Sequence, residues 1–358
     1  MKIISSKQIE GVDSKVIDFD LTDNRHLLEP CDLAIFGPAQ VIQMFPKQMY
    51  SLKKYNVGSL LIFSPWEGGF NTSPNLSQRT LQENLEIPVS VASQNELDSQ
   101  FNDDVYYIHS CWLKPEMSWW PSQNYINFKN LKINKDPQFL FNFIIGTPRK
   151  YKIVLYNELI KSKLLDSNCL WINTDRRRIG HTTVKKNQLR GIIPYKNLNI
   201  NDINSIPEEL YDADKLCSLN EEQKIKTLNT LFCIINSKFS LVIESEMETK
   251  TNRYTEKTLK PISAGQPFIV SGNYQTLKLL KKDGFRTFHP YINENYDEEE
   301  NPRKRISMIV DEIQRLKSLT KEDWGALNAN IHDILEHNKK HLLNLKEKYF
   351  ETLNNILV

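Results

Sequence analysis

Residues 253–257, Arg-Tyr-Thr-Glu-Lys, place two cations, a carboxylate and a helix-capping threonine at the start of a predicted helix. The first turn of a helix has unpaired backbone N–H groups and partial positive charge, so with Arg253 and Lys257 beside it this position suits a diphosphate. The carboxylate of Glu256 could accept hydrogen bonds from hydroxyl groups, such as those of a ribose. A nucleotide with a diphosphate meets both requirements. The alternative is that Thr255 is only an N-cap beside solvated charges.

Apolar runs on both sides position this segment. Phe239–Ile243 and residues 267–270 predict buried strands, with a polar loop and a helix from about Thr255 to Gly265 between them. Strand, loop, helix and strand in this order form a crossover unit of a parallel sheet. Ligands bind in such units where the first strand's carboxyl end meets the helix's amino end. Glu244 directly follows the first strand, so it joins the candidate binding residues.

The segment resembles the donor-binding signature of the alpha-1,3-fucosyltransferase family. In that signature a strand ending in Glu-Asn-Ser leads through a short loop to Tyr-x-Thr-Glu-Lys, and a glycine–proline turn and a second strand follow. The chain departs from it at Ser245, where the family has asparagine, and at Tyr254, which directly precedes the threonine, so that Arg253 takes the place of the family's tyrosine. The matching residues are Phe239, Glu244, Thr255, Glu256, Lys257, Gly265, Pro267, Ile269 and Val270.

The resemblance implies the GT-B architecture, in which two Rossmann-like domains face a cleft. It also implies metal-independent, inverting transfer of a fucose-like sugar from a nucleoside diphosphate to a hydroxyl group of a glycan acceptor. No cofactor is expected apart from this donor substrate. In such a reaction Lys257 would neutralise the departing diphosphate, while Glu256 and Arg253 would hold hydroxyl groups of the ribose or the sugar. Thr255 and Tyr254 complete the expected binding set.

A second junction between a strand and a helix follows the predicted strand Phe139–Ile145. Gly146 there lets the backbone approach a ligand, and Arg149 and Lys150 lie where the helix begins. The resembled family holds the diphosphate with an arginine at a comparable junction, which makes Arg149 a candidate for that role. The alternative is a basic cluster on the surface.

Two carboxylates in the N-terminal part are candidates for the base that takes the acceptor's proton. Glu67 lies in the sequence SPWEGGF after a predicted strand, and Glu116 lies in the aromatic-rich stretch 106–121. A carboxylate on the domain opposite the donor is well placed for this role in an inverting transfer. For Glu67 the alternative is a surface turn over Trp66, and the aromatic stretch could instead pack the two domains together.

Length and composition suit an α/β protein of two domains. The chain has 358 residues, of which 40% are hydrophobic and 25% charged. Apolar runs alternate with helical patterns, which predicts parallel sheets. Strands are expected at residues 15–19, 33–36, 60–63, 87–91, 105–108, 139–145 and 169–173. We place an acceptor-side domain at 1–137, a nucleotide-sugar-binding domain at 138–318 and a long C-terminal helix at 319–358.

Neither charge nor targeting signals indicate a nucleic-acid or membrane partner. The net charge of +2 is nearly balanced. The five cysteines are odd in number and lack C-x-x-C spacing, which is typical of reduced thiols in a cytosolic protein. No segment has the apolar length of a transmembrane helix, and the N-terminus lacks the apolar core of a signal peptide. We therefore expect a cytoplasmic protein. Animal members of the resembled family are membrane-anchored, so the resemblance implies a bacterial or phage member.

The residues after the central motif predict further elements. Residues 274–282 predict a helix that ends at Gly284, 285–288 a strand, 293–300 an acidic loop and 302–316 a helix. The tail from residue 320 is one helical pattern whose apolar stripe is interrupted at Asn338. His337 and His341 have a spacing that permits metal binding, but no third ligand is evident, so we expect no metal site.

Two other functions remain open. A basic cluster between Arg176 and Arg190 could contact DNA, as in phage enzymes that glycosylate modified bases, although such clusters are more often solvated. The chain could instead be a non-catalytic nucleotide-binding or assembly protein. The sequence Asp18-Phe19-Asp20 is of the kind that holds a divalent metal in another class of glycosyltransferases, but its place at a strand end favours a turn.

Overall fold

The chain folds as a mixed α/β protein. The computed structural model describes residues 2–5, 13, 15–16, 31–36, 56–64, 87–93, 105–107, 133–134, 136–145, 150–165, 169–173, 206, 221–244, 246–247 and 252–357. These residues form two parallel sheets and six α-helices, which confirms the α/β class. The chain divides into two compact units, residues 1–114 with 346–358 and residues 115–345. The predicted domain boundaries and the GT-B arrangement stay predictions.

The first unit contains a six-stranded parallel sheet with the spatial order β2-β1-β3-β4-β5-β6. Its strands are β1 (Ile3–Ser5), β2 (Lys15–Val16), β3 (Cys31–Phe36), β4 (Val57–Ser64), β5 (Val89–Ser93) and β6 (Val105–Tyr107). Ala34, Ile62 and Val91 on the central strands have no exposed surface, as expected of strands covered on both faces. Sequence patterns missed β1 because its apolar run is only Ile3 and Ile4.

The second unit contains a four-stranded parallel sheet with the order β10-β9-β7-β8. Its strands are β7 (Phe139–Ile145), β8 (Cys169–Asn173), β9 (Ser237–Ile243) and β10 (Phe268–Ser271). The strand order reverses between β7 and β9, because β8 pairs with one edge of β7 and β9 with the other. In doubly wound sheets ligands bind at the carboxyl ends of the strands beside such a reversal.

The described helices are α1 (Lys150–Lys161), α2 (Glu221–Ile235), α3 (Glu256–Ser263), α4 (Thr276–Lys282), α5 (Pro302–Lys317) and α6 (Lys321–Leu357). Local signals begin two of them. Asn301 caps α5 by accepting hydrogen bonds from the amides of Arg303 and Lys304. Thr320 and Asp323 form a reciprocal capping box before α6. No helix in the described part of the chain combines the length and apolar character that a membrane span requires.

The predicted strand at residues 285–288 is wrong. These residues belong to neither sheet. Side chains replace a neighbouring strand: Asn338 on α6 accepts from the Arg286 amide at 2.7 Å and donates to its carbonyl at 2.8 Å. The Phe288 amide donates to the Glu294 carboxylate at 2.6 Å. This pairing also explains why a buried asparagine interrupts the apolar stripe of α6.

The acidic segment 293–300 is largely built into the second unit. Asp297 is 6% exposed, and its carboxylate accepts from the amides of Leu277 and Lys278 at 2.9 and 3.0 Å, so it caps the start of α4. Burial raises the pKa of Asp297 to about 6 despite these two hydrogen bonds. The Tyr296 hydroxyl accepts from the Val270 amide on β10 at 3.3 Å. The segment therefore joins α4 to the sheet.

The two histidines of α6 cap the opposite end of α4. The Nε2 atoms of His337 and His341 lie 3.0 and 2.7 Å from the carbonyl oxygens of Gly284 and Asp283. A carbonyl oxygen only accepts, so each Nε2 carries the proton and donates it. Within the described residues no group of three or more histidine, cysteine, aspartate or glutamate side chains is arranged to hold a metal ion.

Candidate functional site

Glu244 organises the carboxyl end of β9. Its side chain is 2% exposed, and its carboxylate accepts from the Thr255 amide at 2.8 Å, the Thr255 hydroxyl at 2.6 Å and the Thr258 hydroxyl at 2.6 Å. A carboxylate beside the start of a helix is also favoured by the helix dipole. These three hydrogen bonds hold the start of α3 against the carboxyl end of β9.

Helix α3 begins and ends at the residues that the sequence predicted. Thr255 is the N-cap, with extended backbone angles and a hydroxyl that accepts from the Lys257 amide at 3.3 Å. At the other end Gly265 has a φ of 63°. The amides of Gly265 and Gln266 donate to the carbonyls of Ile262 and Pro261 at 3.0 and 2.9 Å, which is a Schellman motif.

Lys257 and Glu256 form an ion pair in the first turn of α3. The Lys257 Nζ lies 2.9 Å from Glu256 Oε1 and 3.1 Å from the Thr255 hydroxyl oxygen. Burial favours the neutral form of Glu256, but the charges of Lys257 and Lys260 outweigh it and lower its pKa to about 2. Burial likewise disfavours the charge on Lys257, but Glu256 and Glu244 outweigh it and raise its pKa. Both side chains are therefore charged at neutral pH.

Arg253 forms a second ion pair in the segment before α3. One of its guanidinium nitrogens lies 3.2 Å from Glu246 Oε1, with the two side chains 10% and 21% exposed. Sequence reasoning selected Arg253 but missed Glu246. A largely buried arginine needs a carboxylate close to it, so an acidic residue nearby in the chain was the available signal. The pair presents guanidinium donors and carboxylate acceptors side by side.

Tyr254 packs in the interior of the second unit. It has no exposed surface, its hydroxyl donates to Asp283 Oδ2 at 2.7 Å, and its ring meets Phe285 edge to face. Successive side chains of an extended segment point to opposite sides. Tyr254 directly precedes Thr255, whereas the resembled signature has its tyrosine one residue earlier, so the side chain of Tyr254 points into the core. Arg253, two residues before Thr255, stands where the resembled signature has its tyrosine. We therefore assign Tyr254 a packing role.

The start of α1 reaches the same edge of the sheet. The Tyr151 hydroxyl donates to the Glu244 carbonyl at 3.3 Å, which joins the first turn of α1 to the carboxyl end of β9. Lys150, the first residue of α1, is exposed. The carboxyl ends of β7 and β9 and the first turn of α1 therefore lie at the same edge of the sheet, beside the reversal of strand order.

Several sequence-predicted residues lie outside the described residues. They are Arg149 beside α1, the candidate bases Glu67 and Glu116, the basic cluster 176–190 and the Asp18-Phe19-Asp20 sequence. Their roles stay predictions. The structure thus brings together Glu244, Arg253, Thr255, Glu256 and Lys257 from the predicted set and adds Glu246.

Comparison with protein-family models gives no match for this chain, and a search of curated proteins gives none either. The resemblance to alpha-1,3-fucosyltransferases therefore stays a prediction based on residues 239–270.

Proposed function

We propose that this protein is a glycosyltransferase that transfers a fucose-like sugar from a nucleoside diphosphate to an acceptor hydroxyl group, with inversion and without a metal ion. The observation that carries the proposal is the placement of Lys257 and Glu256. Both lie in the first turn of α3, which Glu244 holds at the carboxyl end of β9 beside the reversal of strand order. This is the position at which doubly wound sheets bind nucleotides.

Lys257 is suited to stabilise the leaving group. As the bond between the anomeric carbon and the β-phosphate oxygen breaks, negative charge grows on the nucleoside diphosphate. The raised pKa of Lys257 keeps its ammonium group charged, so it stabilises this charge and does not donate its proton. The partial positive charge of the α3 amino end acts in the same direction. Arg149 remains the predicted second cation for the diphosphate.

Glu256 and the Arg253–Glu246 pair are suited to bind hydroxyl groups. A pKa of about 2 keeps Glu256 ionised, so it accepts hydrogen bonds from ribose hydroxyls and is a poor proton donor. Glu246 already neutralises Arg253 at 3.2 Å, so this pair fits an uncharged group that both donates and accepts hydrogen bonds. The hydroxyls of a neutral sugar have this chemistry.

The acceptor side of the reaction rests on the sequence. In an inverting transfer the acceptor hydroxyl attacks the anomeric carbon from the face opposite the diphosphate and gives its proton to a base. Glu67 and Glu116 stay the predicted bases, and a glycan stays the predicted acceptor. The GT-B arrangement of donor and acceptor domains belongs to the same proposal.

A thermal-shift screen of nucleoside diphosphate sugars tests donor binding. A ligand that binds only the folded protein raises its apparent stability, so at least one of these compounds should raise the melting temperature. The rise should be lost in Lys257→Ala and kept in Lys161→Ala. Lys161 is a matched control because it also pairs with a glutamate, Glu158 at 2.7 Å, on the exposed face of α1. No shift with any nucleoside diphosphate sugar would contradict the proposal.

A further inference from the structure

Arg305 on α5 is the largest fully buried side chain among the described residues, at 1% exposed. A guanidinium group is costly to bury unless its N–H groups have acceptors. In this protein the acceptors are backbone carbonyls. Nε donates to Glu299 at 2.9 Å, one terminal nitrogen to Glu299 and Glu300 at 2.6 and 3.2 Å, and the other to Gly272 and Met247 at 2.8 and 3.5 Å.

These carbonyls belong to three separate segments. Gly272 directly follows β10, and Met247 lies in the segment between β9 and α3. Glu299 and Glu300 follow the 3₁₀ turn Asn295–Glu298, which Asp297 and Tyr296 attach to α4 and β10. Arg305 therefore joins the segments that follow β9 and β10 to the segment of Glu299 and Glu300. This connection lies at the carboxyl edge of the sheet, where the candidate site lies.

Gly272 continues this chain of contacts to the site. A Cβ atom at Gly272 would lie 3.4 Å from Cγ of Glu244, so the Gly272 backbone packs directly against the Glu244 side chain. The Glu244 amide also donates to the Ser271 carbonyl at 3.0 Å. Since the Glu244 carboxylate holds Thr255 and Thr258, the contacts run without a gap from Arg305 to the first turn of α3.

We propose that Arg305 is a positioning residue for the candidate site. It fixes the carbonyls of Gly272 and Met247, so that Glu244 holds the amino end of α3, and with it Lys257, at the carboxyl edge of the sheet. Apolar side chains that replace a buried charge together with its ionic partner often leave the stability unchanged, so filling the core does not by itself require a charged residue. The carbonyls of segments that leave a sheet do require donors. The role in ligand binding rests on the proposed function, whereas the role in fixing α3 does not.

The test compares Arg305→Met with Asn338→Ala. Asn338 is a suitable control because it is also a buried residue and makes two hydrogen bonds to backbone groups, at the opposite end of α4. Hydrogen exchange without ligand is the first measurement. Arg305→Met should speed exchange of the amides of residues 255–263 by about tenfold or more, while Asn338→Ala changes them by less than about twofold.

Binding of inorganic pyrophosphate by calorimetry is the second measurement, because this probe does not depend on the nucleobase. Arg305→Met should weaken binding by about tenfold or more, and Asn338→Ala by less than about twofold, even where the two variants lose equal stability. If Arg305→Met does not fold, Arg305→Lys takes its place. Lysine keeps the charge but has one donor nitrogen, so exchange at α3 should still rise, by a smaller factor.

The outcomes separate the two proposals. Equal effects of the Arg305 and Asn338 variants on α3 exchange would overturn the positioning role, as would an Arg305→Met protein with unchanged exchange at α3. Failure of the wild-type protein to bind pyrophosphate would count against the proposed function. In that case the exchange measurement would still decide whether Arg305 fixes α3.

Discussion

Neighbouring residues at the start of α3 have different tasks because their side chains occupy different surroundings. Lys257 and Glu256 are 27% and 21% exposed, so they are accessible to a ligand. Tyr254, one residue before the N-cap, has no exposed surface and completes the packing around Asp283. A ligand at this edge of the sheet therefore meets the charged pair and Arg253, while the buried residues hold these groups in place.

Replacing Tyr254 tests this division of tasks. Tyr254→Phe removes one buried hydrogen bond and leaves Asp283 without that donor, so the free energy of unfolding should fall by about 1–3 kcal/mol. The affinity for the nucleoside diphosphate sugar should stay within about twofold of wild type, because the Tyr254 hydroxyl does not face the candidate site. Urea denaturation and calorimetry measure the two quantities. A tenfold loss of affinity with unchanged stability would instead return Tyr254 to the ligand-binding set.

The second prediction concerns how the contribution of Glu256 to the stability of the fold changes with pH. Its folded-state pKa of about 2 lies below the ordinary value of 4.5, so its charge stabilises the fold above pH 4.5, and this contribution is lost as the pH falls toward 2. The stability difference between wild type and Glu256→Gln should therefore be smaller at pH 3 than at pH 6 by about 2 kcal/mol. Urea denaturation at several pH values measures it. A difference that does not change with pH would show that Glu256 is not held as a carboxylate.

At the scale of elements, α4 depends on its neighbours at both ends. It has seven residues, too few to be stable in isolation. The Asp297 carboxylate accepts from amides in its first turn, and His337 and His341 of α6 donate to the carbonyls at its end. Because β10 leads into α4, these caps also support the strand that borders the candidate site.

Gly284, at the end of α4, packs against the His341 ring of α6. Its φ is 99°, and a Cβ atom there would lie 2.7 Å from the His341 ring. Gly284→Ala should therefore lower the free energy of unfolding by about 1–3 kcal/mol through backbone strain and the displaced imidazole. Denaturation in urea measures this loss.

Gly325 provides the matched control for this prediction. It lies inside α6, and an added Cβ atom would meet nothing within 4 Å. Gly325→Ala should raise the stability by about 0.5–1 kcal/mol, because alanine is the better residue in a helix interior. A Gly284→Ala protein as stable as wild type would mean that the His341 ring is not fixed against α4.

At the scale of the whole molecule, most strands of the two sheets and the crossover unit that carries the candidate site could be predicted from the sequence. Buried parallel strands appear as continuous apolar runs, and β7 and β8 begin and end where those runs do. The cap at Thr255 and the stop at Gly265 are local signals, so α3 was also predictable. The residues that resemble the donor-binding signature lie within one crossover unit, β9–α3–β10, so their grouping could be expected.

Long-range partners could not be predicted in the same way. Residues 285–288 were expected to form a strand, but the backbone partner of Arg286 is the side chain of Asn338, more than 50 residues later in the chain. The carbonyls that accept from Arg305 come from three segments, and no residue spacing in the sequence predicts which ones they are. The acidic segment 293–300 likewise resembles a solvated loop until the amides that its carboxylates accept from are known.

The rate of sugar transfer by Lys257→Ala tests the central claim most directly. With the nucleoside diphosphate sugar found by the thermal-shift screen, kcat/KM should fall by about 100-fold or more, the effect of removing one preorganised charge from a transition state. Lys161→Ala should keep the wild-type value, since its lysine–glutamate pair lies on α1 away from the candidate site. A Lys257→Ala enzyme with full kcat/KM would contradict the account.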